Sequence, residues 1–164
     1  MPASFSLDQC HGMNNESFEN AIRARLVEHD GSWRNKDLIK SVEDFNADPT
    51  DENCKEFVRQ LFKQVSYCYS QITSRDYSDN NFDLCWLVHE VSGYVYDVIG
   101  QLDMELIDDD RQLNVISKKA LDLYKFIENN QSKTVRLDLV VRQVMIKMEG
   151  LNFDVERLFN KVVH

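Results

Sequence analysis

Leu84, Leu87, Val88, Val91, Val95, Val98, Leu102 and Leu106 recur mostly at three- and four-residue intervals. That is the period of an α-helix with one continuous apolar side, and no strand keeps such positions on one face. A helix over residues 82–106 with so long a stripe needs neighbours along its whole length. The rest of the chain is therefore expected to pack around it. Five Gly and two Pro in 164 residues leave few interruptions, which favours long helices with short connections over a many-turned β sandwich.

The flanking segments follow the same period. Phe18, Ala21, Ile22 and Leu26 predict a helix capped by Asn15 or Ser17 and ended at His29-Asp30-Gly31. Leu38, Ile39, Val42 and Phe45 predict a short one. Asp48-Pro49-Thr50-Asp51-Glu52 is the clearest helix start, with Thr50 placed to accept the unpaired amides and two acids at the positive end of the dipole. Cys54, Phe57, Val58, Leu61, Val65, Cys68 and Ile72 then run for five turns. Asp108-Asp109-Asp110 is expected to end the 82–106 helix and cap the next, which carries Leu113, Ile116, Ala120, Leu121, Tyr124 and Ile127. Residues 135–148 alternate partly like a strand, but the run is too long for one strand and holds no turn signal, so helix is the reading. Gly150 is expected to stop it, before a last short helix on Phe153, Val155, Leu158, Phe159 and Val162. The fold class is thus all-α: a compact single-domain bundle of about six to seven helices around a central hydrophobic helix at 82–106. Residues 1–14 read as a loose arm and residues 15–164 as one domain.

Charge bounds the partners. The chain carries 28 acidic and 19 basic side chains, a formal −9, which opposes general nucleic-acid binding and adsorption to an anionic membrane. The balance is uneven: residues 1–110 hold 22 acidic and 9 basic side chains, residues 111–164 hold 6 and 10. That asymmetry admits a basic partner on the acidic side and also head-to-tail self-association into a homo-oligomer. The N-terminal residues show no charged and apolar leader pattern, and no run reaches eighteen apolar residues, so the expectation is a cytoplasmic chain with no membrane insertion. Cys10, Cys54, Cys68 and Cys85 are irregularly spaced, which suits reduced thiols better than a disulfide framework.

Catalytic patterns do not rise above background. Cys85 and His89 share a helix face as half a zinc site would, with Cys54 and Cys68 to complete it, yet no CxxC or HxxxH pair supports the site. Glu105-Leu-Ile-Asp108 matches half of the paired acidic motif of helical nucleotide pyrophosphohydrolases. The other half is missing, since Glu90 is followed three residues later by Gly93. Arg23 and His29 have a spacing used by helical ribonucleases of toxin systems, a pattern short enough to arise by chance. No cofactor or metal is expected.

Gly93 and Gly100 are more informative. They lie seven apart on the longest helix, where each Gly costs about 1 kcal/mol relative to Ala and so needs a reason. Trp86, His89 and Tyr96 flank them on the same face. Glycine lets a second backbone approach, and large aromatic side chains anchor it, whether the crossing helix belongs to this chain or to a partner. Asp103, Glu105, Asp108, Asp109 and Asp110 add five carboxylates within eight residues, either a solvated helix end or an acidic docking patch. The function expected is a non-enzymatic protein-binding module, a regulatory, adaptor or inhibitor protein, engaging a protein through a groove or patch formed by Trp86, His89, Gly93, Tyr96, Gly100, Asp103, Asp108, Asp109 and Asp110. Alternatives are a small metal-dependent hydrolase using Glu90, Glu105 and Asp108, and a self-associating structural subunit.

Overall fold

The computed structural model describes residues 33–74, 81–103, 110–130 and 137–164. All regular structure among them is helical: α1 (Lys36–Ala47), α2 (Asp51–Thr73), α3 (Asn81–Gly100), α4 (Asp110–Asn129) and α5 (Leu137–Val163). The arm at residues 1–14 and the helix expected from Asn15 lie outside the described residues, as do Cys10, Arg23 and His29.

Short-range chemistry starts the helices. The Asn35 side-chain oxygen accepts the Asp37 N–H at 3.1 Å, and Thr50 Oγ1 accepts the Asn53 N–H at 3.1 Å, so each satisfies an amide that has no partner inside its helix. Asn53 closes the turn between α1 and α2 by donating from Nδ2 to the Asp48 carbonyl at 2.8 Å.

The apolar stripes then meet in one core. Leu38, Val42 and Phe45 of α1 join Phe57, Val58, Leu61, Val65, Cys68 and Ile72 of α2, all buried. From α4 come Leu113, Ile116, Ala120, Leu123 and Ile127; Leu121, expected on this stripe, is only half-buried. In α3 every residue from Leu84 through His89 is buried, and α3 packs against each of the other four helices. Six consecutive buried residues leave that stretch no solvent side, so it can be apolar around its circumference.

Two expected boundaries are corrected. The 82–106 helix stops at Gly100. The Gln101 and Leu102 amides bond back to the Val98 and Ile99 carbonyls, each at 3.1 Å, which tightens the last turn. Asn46 of α1 then takes the following backbone, donating from Nδ2 to the Gln101 carbonyl at 2.8 Å and accepting the Asp103 N–H on Oδ1 at 3.0 Å. Those bonds turn the chain away from helix while Leu102 stays in the core.

Gly150 does not end a helix. It lies inside the 27-residue α5, so the helix expected over 135–148 and the short one expected after it are one, and the described residues hold five helices. The reason is the buried series Val140, Val141, Val144, Met148, Leu151, Val155 and Leu158, whose period runs through the glycine without a break. Burying Leu151, Val155 and Leu158 stabilises by roughly 1.5–3 kcal/mol each, which outweighs the ~1 kcal/mol that Gly costs. Among the described residues no helix is long and apolar enough to cross a membrane.

Candidate functional site

A depression of about 490 Å³ opens between the start of α1, the outer face of α3 and the middle of α4. Gly93 and Val98 of α3 lie in it, with Tyr94 on one side and Tyr124 of α4 on the other. Arg34 and Lys36 bring positive charge from the α1 side, and Glu90 and Asp97 bring negative charge from α3.

The Tyr94 side is held by a buried polar network. Gln64 is buried within the α2 stripe, and both ends of its amide are used. Its Oε1 accepts the Asn35 N–H at 2.7 Å, and its Nε2 donates to the Trp33 carbonyl at 3.3 Å. Asn35 in turn donates from Nδ2 to Gln60 Oε1 at 2.8 Å, and its carbonyl accepts the Tyr94 hydroxyl at 2.9 Å. Trp33 and Tyr94 meet edge to face at 5.7 Å, and the Arg34 guanidinium lies 5.3 and 5.5 Å from the two ring centroids. Such cation–π contact holds the arginine over the wall instead of leaving it loose in water. Burial pushes the Tyr94 phenol above its ordinary pKa, against the opposing pull of Arg34, so it stays a hydrogen-bond donor.

The opposite side is built on His89. Its ring stacks on Tyr124 with centroids 4.3 Å apart and planes 21° from parallel. Nδ1 stands 2.9 Å from a Glu90 carboxylate oxygen and Nε2 2.7 Å from a Glu128 oxygen. A doubly protonated ring donates to both carboxylates, whereas a neutral ring can donate to one only. Burial raises the Tyr124 pKa, and Glu128, Glu90 and Asp97 raise it further, because a phenolate would add negative charge beside three carboxylates.

Of the residues singled out on α3 from sequence, Gly93 lines the depression; Trp86, His89, Tyr96 and Gly100 do not. Trp86 is 3% exposed and His89 4%, so both belong to the interior and offer no anchoring surface. Tyr96 is exposed, and so is Gly100, where an added Cβ would meet nothing within 4 Å. Gly93 serves a crossing within this chain, because a Cβ there would stand 3.0 Å from two ring carbons of Tyr124. Asp103 is exposed beside Asn46, Asp110 is the first residue of α4, and Glu105, Asp108 and Asp109 lie outside the described residues.

Arg34, Lys36, Tyr94 and Asp97 escaped the sequence reading, and Tyr124 was read only as part of an apolar stripe. Only Gln64, a polar residue inside an apolar stripe, gave any signal of the wall behind them.

No thiol or metal chemistry gathers at the depression. Cys68 is fully buried in α2, and burial pushes its thiol up to about 12. The ring nitrogens of His89 face carboxylates, and no cluster of three or more His, Cys, Asp or Glu that could hold a metal ion occurs among the described residues. Compared with models of known protein families, with curated proteins and with solved structures, the chain matches none.

Proposed function

We propose that this chain is a non-enzymatic protein-binding module, regulatory or adaptor in kind, that takes side chains of a protein partner into the depression over Gly93. The observation that carries the reading is that two tyrosines and charges of both signs, Arg34 and Lys36 with Glu90 and Asp97, line one depression. Tyrosine supplies contact area at low entropic cost, and the charges give orientation and rejection of wrong partners. A volume of about 490 Å³ suits a few side chains and not a whole helix. The frame of this reading is one cytoplasmic bundle of about six helices, including the one expected from Asn15, built around α3. The carboxylates of Asp103, Asp108, Asp109 and Asp110 are the acidic patch proposed for a basic part of the same partner.

Trp86→Ala is a poor probe of this site, since truncating a buried Trp costs about 3–5 kcal/mol whatever the site binds. The test is capture from native lysate by wild type and by folded Arg34→Glu and Asp97→Lys variants, with Lys118→Glu as a remote control. A partner held by wild type and the control and lost by both groove variants is the expected result. A partner held equally by all four, or Mg²⁺-dependent nucleotide turnover with no partner, would contradict it.

A further inference from the structure

Leu139, Ile146 and Phe153 stand seven residues apart on α5 and are 52, 59 and 58% exposed. Seven residues fall about 20° short of two full turns, so the three form one stripe. Gly150 lies in that stripe between Ile146 and Phe153, and a Cβ there would meet nothing within 4 Å. The contrast with Gly93 is direct: that glycine makes room for Tyr124, whereas among the described residues nothing stands within 4 Å of a Cβ at Gly150. A glycine between two exposed apolar side chains is a notch at which another backbone can come close.

The geometry points to a second copy of this chain as the occupant, with the two α5 helices crossing antiparallel at Gly150. A two-fold axis at that notch sets Ile146 against the partner's Phe153, and Phe153 against the partner's Ile146. The same register brings exposed Arg142 beside the partner's Glu156 on the same flank, and the symmetry makes that ion pair twice. Glu149, which falls nearest the axis on that flank, is drawn instead toward the Tyr69 hydroxyl at 3.3 Å, which eases the contact of like charges. In a parallel pair the two copies of this flank fall on opposite sides of the contact, where Arg142 and Glu156 do not meet, so the ion pairs select the antiparallel arrangement. The stripe from Leu139 to Arg157 is about 27 Å long at 1.5 Å per residue. One helix face of that length is smaller than a standard interface of roughly 800 Å² per partner, so the dimer exchanges with monomer as concentration changes.

The test is sedimentation velocity of the full chain from about 1 to 500 μM, a range that brackets weak association. Wild type shifts from monomer to dimer mass. Ile146→Asp raises the midpoint by at least about tenfold, as loss of an apolar anchor does, with unchanged circular dichroism. Gly150→Leu weakens the dimer while raising the melting temperature of the monomer, because it fills the notch and favours the helix. Arg142→Glu and Glu156→Arg each weaken association, and the double variant restores it. A chain that stays monomeric throughout, with some other segment over the stripe, would overturn the proposal. So would a dimer indifferent to these changes, or one that the double charge exchange fails to restore.

Discussion

Gly93 and Tyr124 meet at a close approach: the first atom of any other side chain at 93 would stand 3.0 Å from two carbons of the phenol ring, tighter than ordinary van der Waals contact. Tyr124 is also stacked on His89, which limits how far its ring can give way. Gly93→Ala therefore trades a helix-propensity gain of about 1 kcal/mol for overpacking of roughly 1–3 kcal/mol, a net loss of about 1 kcal/mol. Gly150→Ala meets open space and stabilises the monomer by about 0.5–1 kcal/mol. Urea denaturation of the two variants, monitored by circular dichroism, is expected to move the midpoint in opposite directions.

His89 holds two carboxylates at one wall of the groove, and their exposure differs. The Glu90 side chain is 17% exposed and that of Glu128 43%. Glu90→Gln is expected to cost about 1.5–3 kcal/mol, the range of hydrogen bonds to charged groups. Glu128→Gln costs less than about 1 kcal/mol, as pairs open to solvent do. Equal costs in a denaturant titration at neutral pH would show that the wall is not organised by burial at Glu90.

Alkaline pH tests the packing of α2. Burial raises the Cys68 thiol from 9.0 to about 12, and Tyr94 and Tyr124 are raised in the same direction. In the unfolded chain these groups lose protons first. The stability they contribute is therefore complete below about pH 9 and is lost as pH rises toward 12. One such thiol gives a slope of up to about 1.4 kcal/mol per pH unit. Urea midpoints between pH 8 and 10.5 are expected to fall, and to fall less steeply in Cys68→Ala. Identical slopes would mean that the thiol is not sealed from water.

Gln64 connects the core to the groove. Gln64→Leu keeps the volume but strands the Asn35 N–H and the Trp33 carbonyl, a loss of about 1–3 kcal/mol for a buried group left without its partner. Amide exchange at Asn35 is expected to quicken by an order of magnitude or more in this variant. An unchanged rate would show that the Trp33–Asn35 wall stands without Gln64.

What the sequence made legible was what depends on near neighbours. The helical stripe of α2 and the Thr50 cap involve residues one to four apart, and they appear where periodicity and capping chemistry put them. The boundary at Gly100 was not legible, because Asn46, more than fifty residues away, binds the backbone of Gln101 and Asp103. Gly150 misled for a related reason: a local stop signal gave way to burial of Leu151, Val155 and Leu158 against other helices. At the groove, the rarity of glycine drew attention to Gly93, which packs against Tyr124. The ring above it comes from Tyr124 and the charge beside it from Arg34, and no spacing along the chain announces those encounters. Trp86 shows the converse, since a large aromatic reads as surface or interior only once its neighbours are in place.

Photo-crosslinking in native lysate reads the groove most directly. A photoreactive phenylalanine at Asp97, exposed at the groove, is compared with the same residue at Lys118, exposed on α4. The account predicts a discrete adduct of one protein partner from position 97 and none from position 118. No adduct from position 97, or the same adducts from both positions, would contradict a binding module that works through this groove.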